Sequence, residues 1–365
     1  MTDLGLMSIG SFARRSGLTS SALRFYADAG LILPAQVDSA SGYRFYGEDQ
    51  LERAVVLRQL REIGIPLATA KSVLNGEPDE AIHLIDEHID AVAKNATTAR
   101  QQAAAIKTAL TGAASAMVVA MSGPVLAAAI DQVLSATTDE PGIAVLGGVH
   151  FEAQHGAVVV TATDRYRLST RTLVTTTPVA IAWAATANGD DLRSCLTDLR
   201  RTPKARIEAT DHGMWMRLPN RDDGHCRLLT GPFPDYRSML DDMPAVTTRA
   251  QVSTAVLLQS LEEKSADLIG LHVSDSCITV RNTLSNDGIR LPASVSGTAV
   301  EVWFEMTTLY PAISAAIGAD VLIDLRGHSQ PATVRSADHG DLTTVAMPTM
   351  PPATEELTAP KEHHP

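Results

Sequence analysis

Apolar and small residues recur at alternating steps of three and four along one stretch: Ile82, Ile85, Ile89, Val92, Ala96, Ala99, Ala103, Ile106 and Leu110. That spacing holds a single stripe on one side of a helix and is the pattern of a coiled-coil seam. It predicts a long helix over residues 77–115, with Ala positions that let two backbones approach closely. A helix packed on its own domain is the plainer alternative. Upstream the periods are short. Ser8 can cap a helix through Ile9 to Arg15, Gly17 breaks it, and Thr19 can cap a second helix, Ser20 to Ala29, that ends at Gly30. Asp38-Ser39-Ala40-Ser41-Gly42 reads as a turn before an extended arm, Tyr43-Arg44-Phe45-Tyr46. After Gly123 a coarser rhythm sets in. Amphipathic helices begin near Pro124, Asp191, Thr254 and Thr307, and strand-like runs follow, such as Ala157–Thr163, Arg206–Ala209, Cys277–Asn282 and Val321–Leu325. A helix followed by strands, four times over, predicts two domains that are each a doubled unit. The copies share little sequence identity.

Composition adds limits. A chain of 365 residues exceeds one ordinary domain. Cys195, Cys226 and Cys277 are sparse and far apart, which points to a reducing, cytoplasmic compartment without a disulfide framework. The start MTDLGLMSIGSFARR carries no apolar signal segment. No charged residue lies between Lys107 and Asp131, but that run is built from Ala, Ser, Thr and Gly. We read it as a linker running into a buried helix, and expect no membrane span. The net charge of −12 is uneven: residues 1–120 hold 11 Lys+Arg against 13 Asp+Glu (−2), and the remainder 19 against 29 (−10). Within residues 1–76 the count is 8 basic against 7 acidic. DNA contact needs Lys and Arg to neutralise phosphates, so it is expected at the N-terminus.

A helix, a tight Gly turn and a second helix form the geometry that lays the second helix in the major groove. Ser20, Ser21, Arg24 and Tyr26 are expected to face the groove, with Arg14, Arg15 and Thr19 beside them. The arm then reads as a wing on the phosphate backbone, gripping with Tyr43, Arg44 and Tyr46. The spaced set Ile9-Gly10, Ala13, Gly17, Leu23-Arg24-Phe25-Tyr26, Gly30-Leu31, Pro34, Gly42-Tyr43-Arg44-Phe45-Tyr46 and Gly64 resembles the MerR family of transcription regulators. Ala22 stands where that family usually has Thr. The resemblance implies an antiparallel dimerisation helix, promoter DNA and RNA polymerase as partners, and activation by distortion of an overlong promoter spacer. His83 and His88 do not share a helical face and no Cys lies near the ends of the long helix, so no metal is expected.

Three motifs in the body resemble a second family, the bacterial DNA polymerase III beta sliding clamp, over about residues 122–350. They are Thr161-Ala162-Thr163-Asp164-Arg165-Tyr166-Arg167-Leu168, Gly231-Pro232-Phe233-Pro234-Asp235-Tyr236-Arg237, and Val334-Arg335 through Val345-Ala346-Met347-Pro348. The resemblance covers the middle and C-terminal clamp domains only. It implies that Leu146, Thr163, Arg165, Leu168, Pro234, Met239, Val345 and Met347 line an apolar pocket for a hydrophobic small molecule or peptide. The plainer reading makes most of them core residues. Clamps line their hole with basic helices, whereas the helices here carry few cations and Asp191 and Asp198 sit beside Arg193, Arg200 and Arg201. DNA encirclement is therefore not expected. No phosphate-cradling loop, nucleophile elbow or His-Glu-x-x-His is present, so neither catalysis nor a cofactor is expected.

The expected fold class is α+β: a winged helix-turn-helix over 1–76, a coiled-coil helix over 77–115 and a linker over 116–123. Clamp-like domains of helices on antiparallel sheets then cover 124–246 and 247–350, and a disordered tail covers 351–365. The expected function is a homodimeric, ligand-responsive transcription regulator with a role in antibiotic response. The alternative is a DNA-tethered adaptor that recruits replication or repair proteins.

Overall fold

The computed structural model describes residues 5–111, 115–283, 287–337 and 341–350; the tail expected over 351–365 lies outside them. The chain divides into two compact units, Met1–Ala99 and Arg100–Pro365.

The first unit runs β1 (Leu6–Ser8), α1 (Ile9–Ser16), α2 (Ser20–Asp28), β2 (Gln36–Val37), β3 (Arg44–Gly47), α3 (Leu51–Glu62), α4 (Leu67–Asn75) and then α5 (Pro78–Thr111), which continues into the second unit. The caps fall where the hydroxyls predict them. Ser8 Oγ accepts from Ser11 N–H at 3.3 Å and Thr19 Oγ1 from Ala22 N–H at 3.0 Å. Gly17, at φ 73°, turns the chain between α1 and α2, a conformation that would strain a side chain. A small antiparallel sheet, β1-β3-β2, forms the wing and its root. Phe12, Leu23, Tyr46, Leu57 and Ile65 centre the core. Ala81, Leu84 and Ile85 of α5 pack against it, and the His88 ring nitrogen Nε2 lies 3.1 Å from the Ile63 carbonyl oxygen. The first turns of the long helix are thus docked on the head, with Ile85 the one stripe residue that meets its core.

The second unit continues β4 (Ala116–Ser122), α6 (Gly123–Leu134), β5 (Gly148–Gln154), β6 (Ala157–Thr163), β7 (Arg167–Val174), β8 (Trp183–Asn188), α7 (Gly189–Arg200), β9 (Lys204–Thr210), β10 (Gly213–Arg217), β11 (Gly224–Cys226) and α8 (Tyr236–Asp241). It ends with β12 (Thr248–Ser253), α9 (Thr254–Glu263), β13 (Leu268–Ser274), β14 (Cys277–Asn282), β15 (Ile289–Pro292), β16 (Ser294–Gly297), β17 (Val300–Glu305), α10 (Met306–Ser314), β18 (Asp320–Leu325), β19 (Ala332–Ser336) and β20 (Leu342–Ala346). The rhythm is a strand leading straight into a helix, then an antiparallel run of strands, repeated around α6, α7, α9 and α10. One nine-stranded sheet, β16-β12-β18-β19-β20-β7-β6-β5-β8, runs through both halves, and β11-β10-β9-β4 and β15-β14-β13-β17 form a four-stranded sheet each. Helices α6 and α7 share a core with β4–β11, and α9 and α10 share another with the later strands.

The segment 116–123, read as a linker, is corrected here: its first seven residues are β4. This strand pairs with β9 from Ala116↔Ala209 to Ser122↔Lys204, with a bulge near Met117 and Val119. Val118, Val119 and Met121 are buried, so this strand's part of the uncharged run contributes to the core. Gly123 then starts α6 where a Cβ would lie 2.1 Å from the Thr202 carbonyl oxygen and 2.5 Å from that of Leu199. Only glycine permits that approach to the end of α7.

Candidate DNA-reading face and candidate ligand site

The exposed side of α2 carries Ser21, Arg24, Phe25 and Asp28, with Ser20 half-buried in the first turn. Thr19 is exposed but occupied as the cap. Arg14 and Arg24 have no ion-pair partner among the described residues, whereas Arg15 pairs with Glu48 at 2.6 Å. In the wing, the Asp38 carboxylate accepts the backbone N–H groups of Ala40 and Ser41 at 2.9 and 2.7 Å. These bonds favour the charged form and hold the Asp38 carboxyl below its ordinary range. The turn presents Tyr43, 46% exposed. Arg44 reaches back to α2, donating to the Arg24 carbonyl at 3.2 Å and pairing with Asp28 at 3.0 Å. The wing and the second helix are therefore locked together by the residue expected to grip phosphate.

Two expected contacts are corrected. Tyr46 is fully buried, stacked on Phe12 with ring centroids 4.8 Å apart, and its hydroxyl donates to the Leu23 carbonyl. Burial raises its pKa. Tyr26 is buried in the same core. Neither ring is presented to a duplex. Phe25, 54% exposed, was not among the expected contacts, although it sits one turn from Ser21 on the open side of α2.

On α5, Ile82, Ile89, Val92, Ala99, Ala103, Ile106 and Leu110 are exposed and Ala96 is half-buried. Leu110 is 81% exposed. Ile85 is the exception, half-buried against the head core.

In the body, strand register sets Thr163 opposite Leu168 and Leu168 opposite Val345. Met347 follows β20 and its N–H donates to the Tyr166 carbonyl at 2.8 Å. Arg165 tops the turn at φ 76° and pairs with Glu140 at 2.7 Å. The chain's own 231–243 segment closes over this pair of strands. Leu168, Val345 and Tyr236 form a buried cluster, with Phe233, Leu240 and Met243 packed against it. Tyr236 donates its hydroxyl to Glu152, which also pairs with Arg237 at 3.1 Å. Burial, together with the bond to that carboxylate, pushes the Tyr236 pKa up to about 12. His150 stacks on Phe233 at 4.6 Å between ring centroids, and burial lowers its pKa. Of the expected pocket residues, Leu146, Thr163, Leu168 and Val345 are therefore buried, and Leu146 is not a member of the cluster. Arg165, Pro234, Met239 and Met347 are exposed. Phe233, Tyr236 and Leu240 were missed as members, although the Gly231–Arg237 motif contains two of them.

Two of the three arginines expected on α7 are engaged, and Arg201, its C-cap, has no ion pair among the described residues. Arg193 pairs with Asp190 at 2.8 Å and Arg200 with Asp131 of α6 at 2.7 Å, while Arg221 takes Asp198 at 3.0 Å. Among the described residues no group of three or more His, Cys, Asp or Glu is placed to hold a metal, and no helix is long and apolar enough to cross a membrane.

Residues 7–77 match the model of the MerR HTH family of regulatory proteins. Over 93 residues the chain is 34% identical to the HTH-type transcriptional regulator ZntR homolog of Haemophilus influenzae, covering 24% of this chain and 68% of that protein. This chain belongs to the MerR family. It is also 38% identical over 80 residues to the HTH-type transcriptional regulator CueR of Salmonella typhimurium, covering 22% of this chain. It spans 57% of that relative's length. The rest of this MerR-family chain has the fold of a sliding clamp. A DnaN sliding clamp from Pseudomonas aeruginosa, solved bound to griselimycin, superposes with a TM-score of 0.60 at 17% identity, covering 65% of this chain and 66% of the clamp. The sliding clamp of Bacillus subtilis gives 0.59 at 18%, covering 64% of each. The chain thus spans about two thirds of a clamp's length.

Proposed function

We propose that this chain is a homodimeric transcription regulator that binds promoter DNA through its MerR-type head and senses a hydrophobic small molecule or peptide through its clamp-like body. The observation that carries the reading is a pair of surfaces left open on one chain. One is the α2 face, where Arg24, without an ion pair among the described residues, stands beside exposed Phe25. The other is the apolar stripe of α5. Exposed Leu110, Ile106 and Val92 suit a second copy, and two copies present two heads to an inverted repeat. Base edges supply sequence preference and phosphate contacts supply register. The body, at −10 beyond residue 120 and with Arg193 and Arg200 paired to carboxylates, adds little phosphate affinity. Acting with RNA polymerase on a spacer that must be bent or untwisted makes deformation energy part of recognition.

The effector class we favour is a clamp-directed antibiotic or peptide. Met239 and Met347, on segments flanking the Leu168–Val345 cluster, offer adaptable apolar contact. A ligand switches transcription only if it prefers one arrangement of the protein over another. The test is transcription from the chain's own operator with and without griselimycin, and with Met347→Arg. Ligand-dependent transcription lost in the variant supports the reading. Binding of clamp-binding peptides without a change in transcription favours the adaptor.

A further inference from the structure

A separate cleft of about 520 Å³ opens on the β4–β9 side of the body, within the range of roughly 300–1,000 Å³ typical of small-molecule sites. Met117 and Ala120 of β4, with Pro178 and Pro219, give it apolar walls, and Lys204 and Arg206 of β9 line it. Register sets Ala120 opposite Arg206. The wall is built in advance: Thr177 Oγ1 donates to the Ala120 carbonyl at 2.7 Å and Ala180 N–H to the Val118 carbonyl at 2.8 Å, so the segment before β8 is tied to the edge strand.

The charges point to the occupant. Arg217, on the neighbouring strand, is neutralised by Glu208 at 2.8 Å and Asp223 at 2.9 Å and lies over the Trp215 ring at 4.6 Å. Lys204 and Arg206 have no ion-pair partner among the described residues. Glu208, the acid on their own strand, is already taken by Arg217 and by Ser115 Oγ at 2.8 Å. Two cations without a close carboxylate partner, Arg206 feeling Glu208 only through space, stand beside apolar walls in a body that is acidic overall, and match a ligand with an apolar part and an anionic group.

We infer that this cleft binds an amphipathic anion, an apolar molecule bearing a carboxylate or sulfonate. It is a second site, distinct from the Thr163–Met347 region. β4 begins at Ala116, and α5 ends at Thr111, so a ligand that stiffens β4 acts on the strand next in line to the dimerisation helix. That coupling rests on the regulator reading, whereas the binding itself does not.

The test uses the full chain and two fluorescent probes, anilinonaphthalene sulfonate and its uncharged counterpart phenylnaphthylamine. The sulfonate should bind saturably. Lys204→Gln with Arg206→Gln should weaken it about tenfold, the combined worth of two partly exposed charge contacts. Phenylnaphthylamine affinity and the circular dichroism should not move, and Met347→Arg should leave sulfonate binding intact. No saturable sulfonate binding, equal sulfonate affinity in the double variant, or equal loss of both probes overturns the proposal. Operator affinity is then measured at saturating sulfonate. A change supports coupling to the head. No change, with the site intact, removes the cleft from the sensing reading while leaving the binding site in place.

Discussion

Ala99→Glu separates the folding of one chain from the pairing of two. Ala99 is exposed on α5, in the stripe that continues to exposed Ile106 and Leu110. In the single chain the substitution costs a few tenths of a kcal/mol of helix propensity. In a dimer joined along that stripe, each carboxylate enters an apolar contact. The effective penalty for burying such an ion is several kcal/mol, so we take roughly 3 kcal/mol per chain. Two copies give roughly 6 kcal/mol, or about four decades in dissociation constant. A nanomolar dimer would then be half dissociated at roughly ten micromolar. Sedimentation velocity across that range reads the effect directly, with far-UV circular dichroism as the control for folding. The expected result is a folded monomer with lost operator affinity. A variant that stays dimeric at low micromolar concentration refutes the reasoning and assigns the pairing to the bodies.

Arg44→Ala removes the tie from the wing to Asp28 and to the Arg24 carbonyl as well as a cation, so it should weaken binding to all duplexes alike, whereas Arg24→Ala should relax preference at one base position; anisotropy titrations over a salt series and a set of operator variants separate the two. Asp324 is buried at 3% side-chain exposure between Arg249 and Arg335, whose own side chains keep 48% and 33% exposure, so Asp324→Ala should lower the midpoint of urea unfolding, with water taking up much of the freed guanidinium charge. Burial lowers the pKa of His150 and of His225 below 6.5. Their stabilising effect is therefore complete above that value and is lost as pH falls from it towards the lowered folded pKa, because the unfolded chain takes up protons first. The melting temperature should drop as pH is lowered through that window, and His150→Gln with His225→Gln should flatten the slope.

Much of the fold was legible because period reports which face is apolar. The runs Ala157–Thr163 and Cys277–Asn282 are β6 and β14 to the residue. Period does not report what covers that face. Ile85 falls in the same stripe as Ile82, yet one meets the head core and the other solvent. Leu168 and Val345 are apolar as expected, but only the fold brings Tyr236 over them. Some signals were present and passed over. Leu23, Tyr26 and Ala27 fall on one helical face, which places Tyr26 inward. β4 was hidden because a run of Ala, Val and Met without charge reads as linker or helix when no turn residue interrupts it. The pairing of Arg200 with Asp131, 69 residues apart, has no local signature.

On the regulator reading two MerR-type heads on one dimer read DNA and the clamp-like body does not. It is tested most directly by selecting bound duplexes from a random pool with the full chain, alongside the Arg24→Ala, Phe25→Ala double variant. The first should enrich an inverted repeat and the second should not. Selection of the same sequences by both, or of no inverted repeat by either, contradicts it.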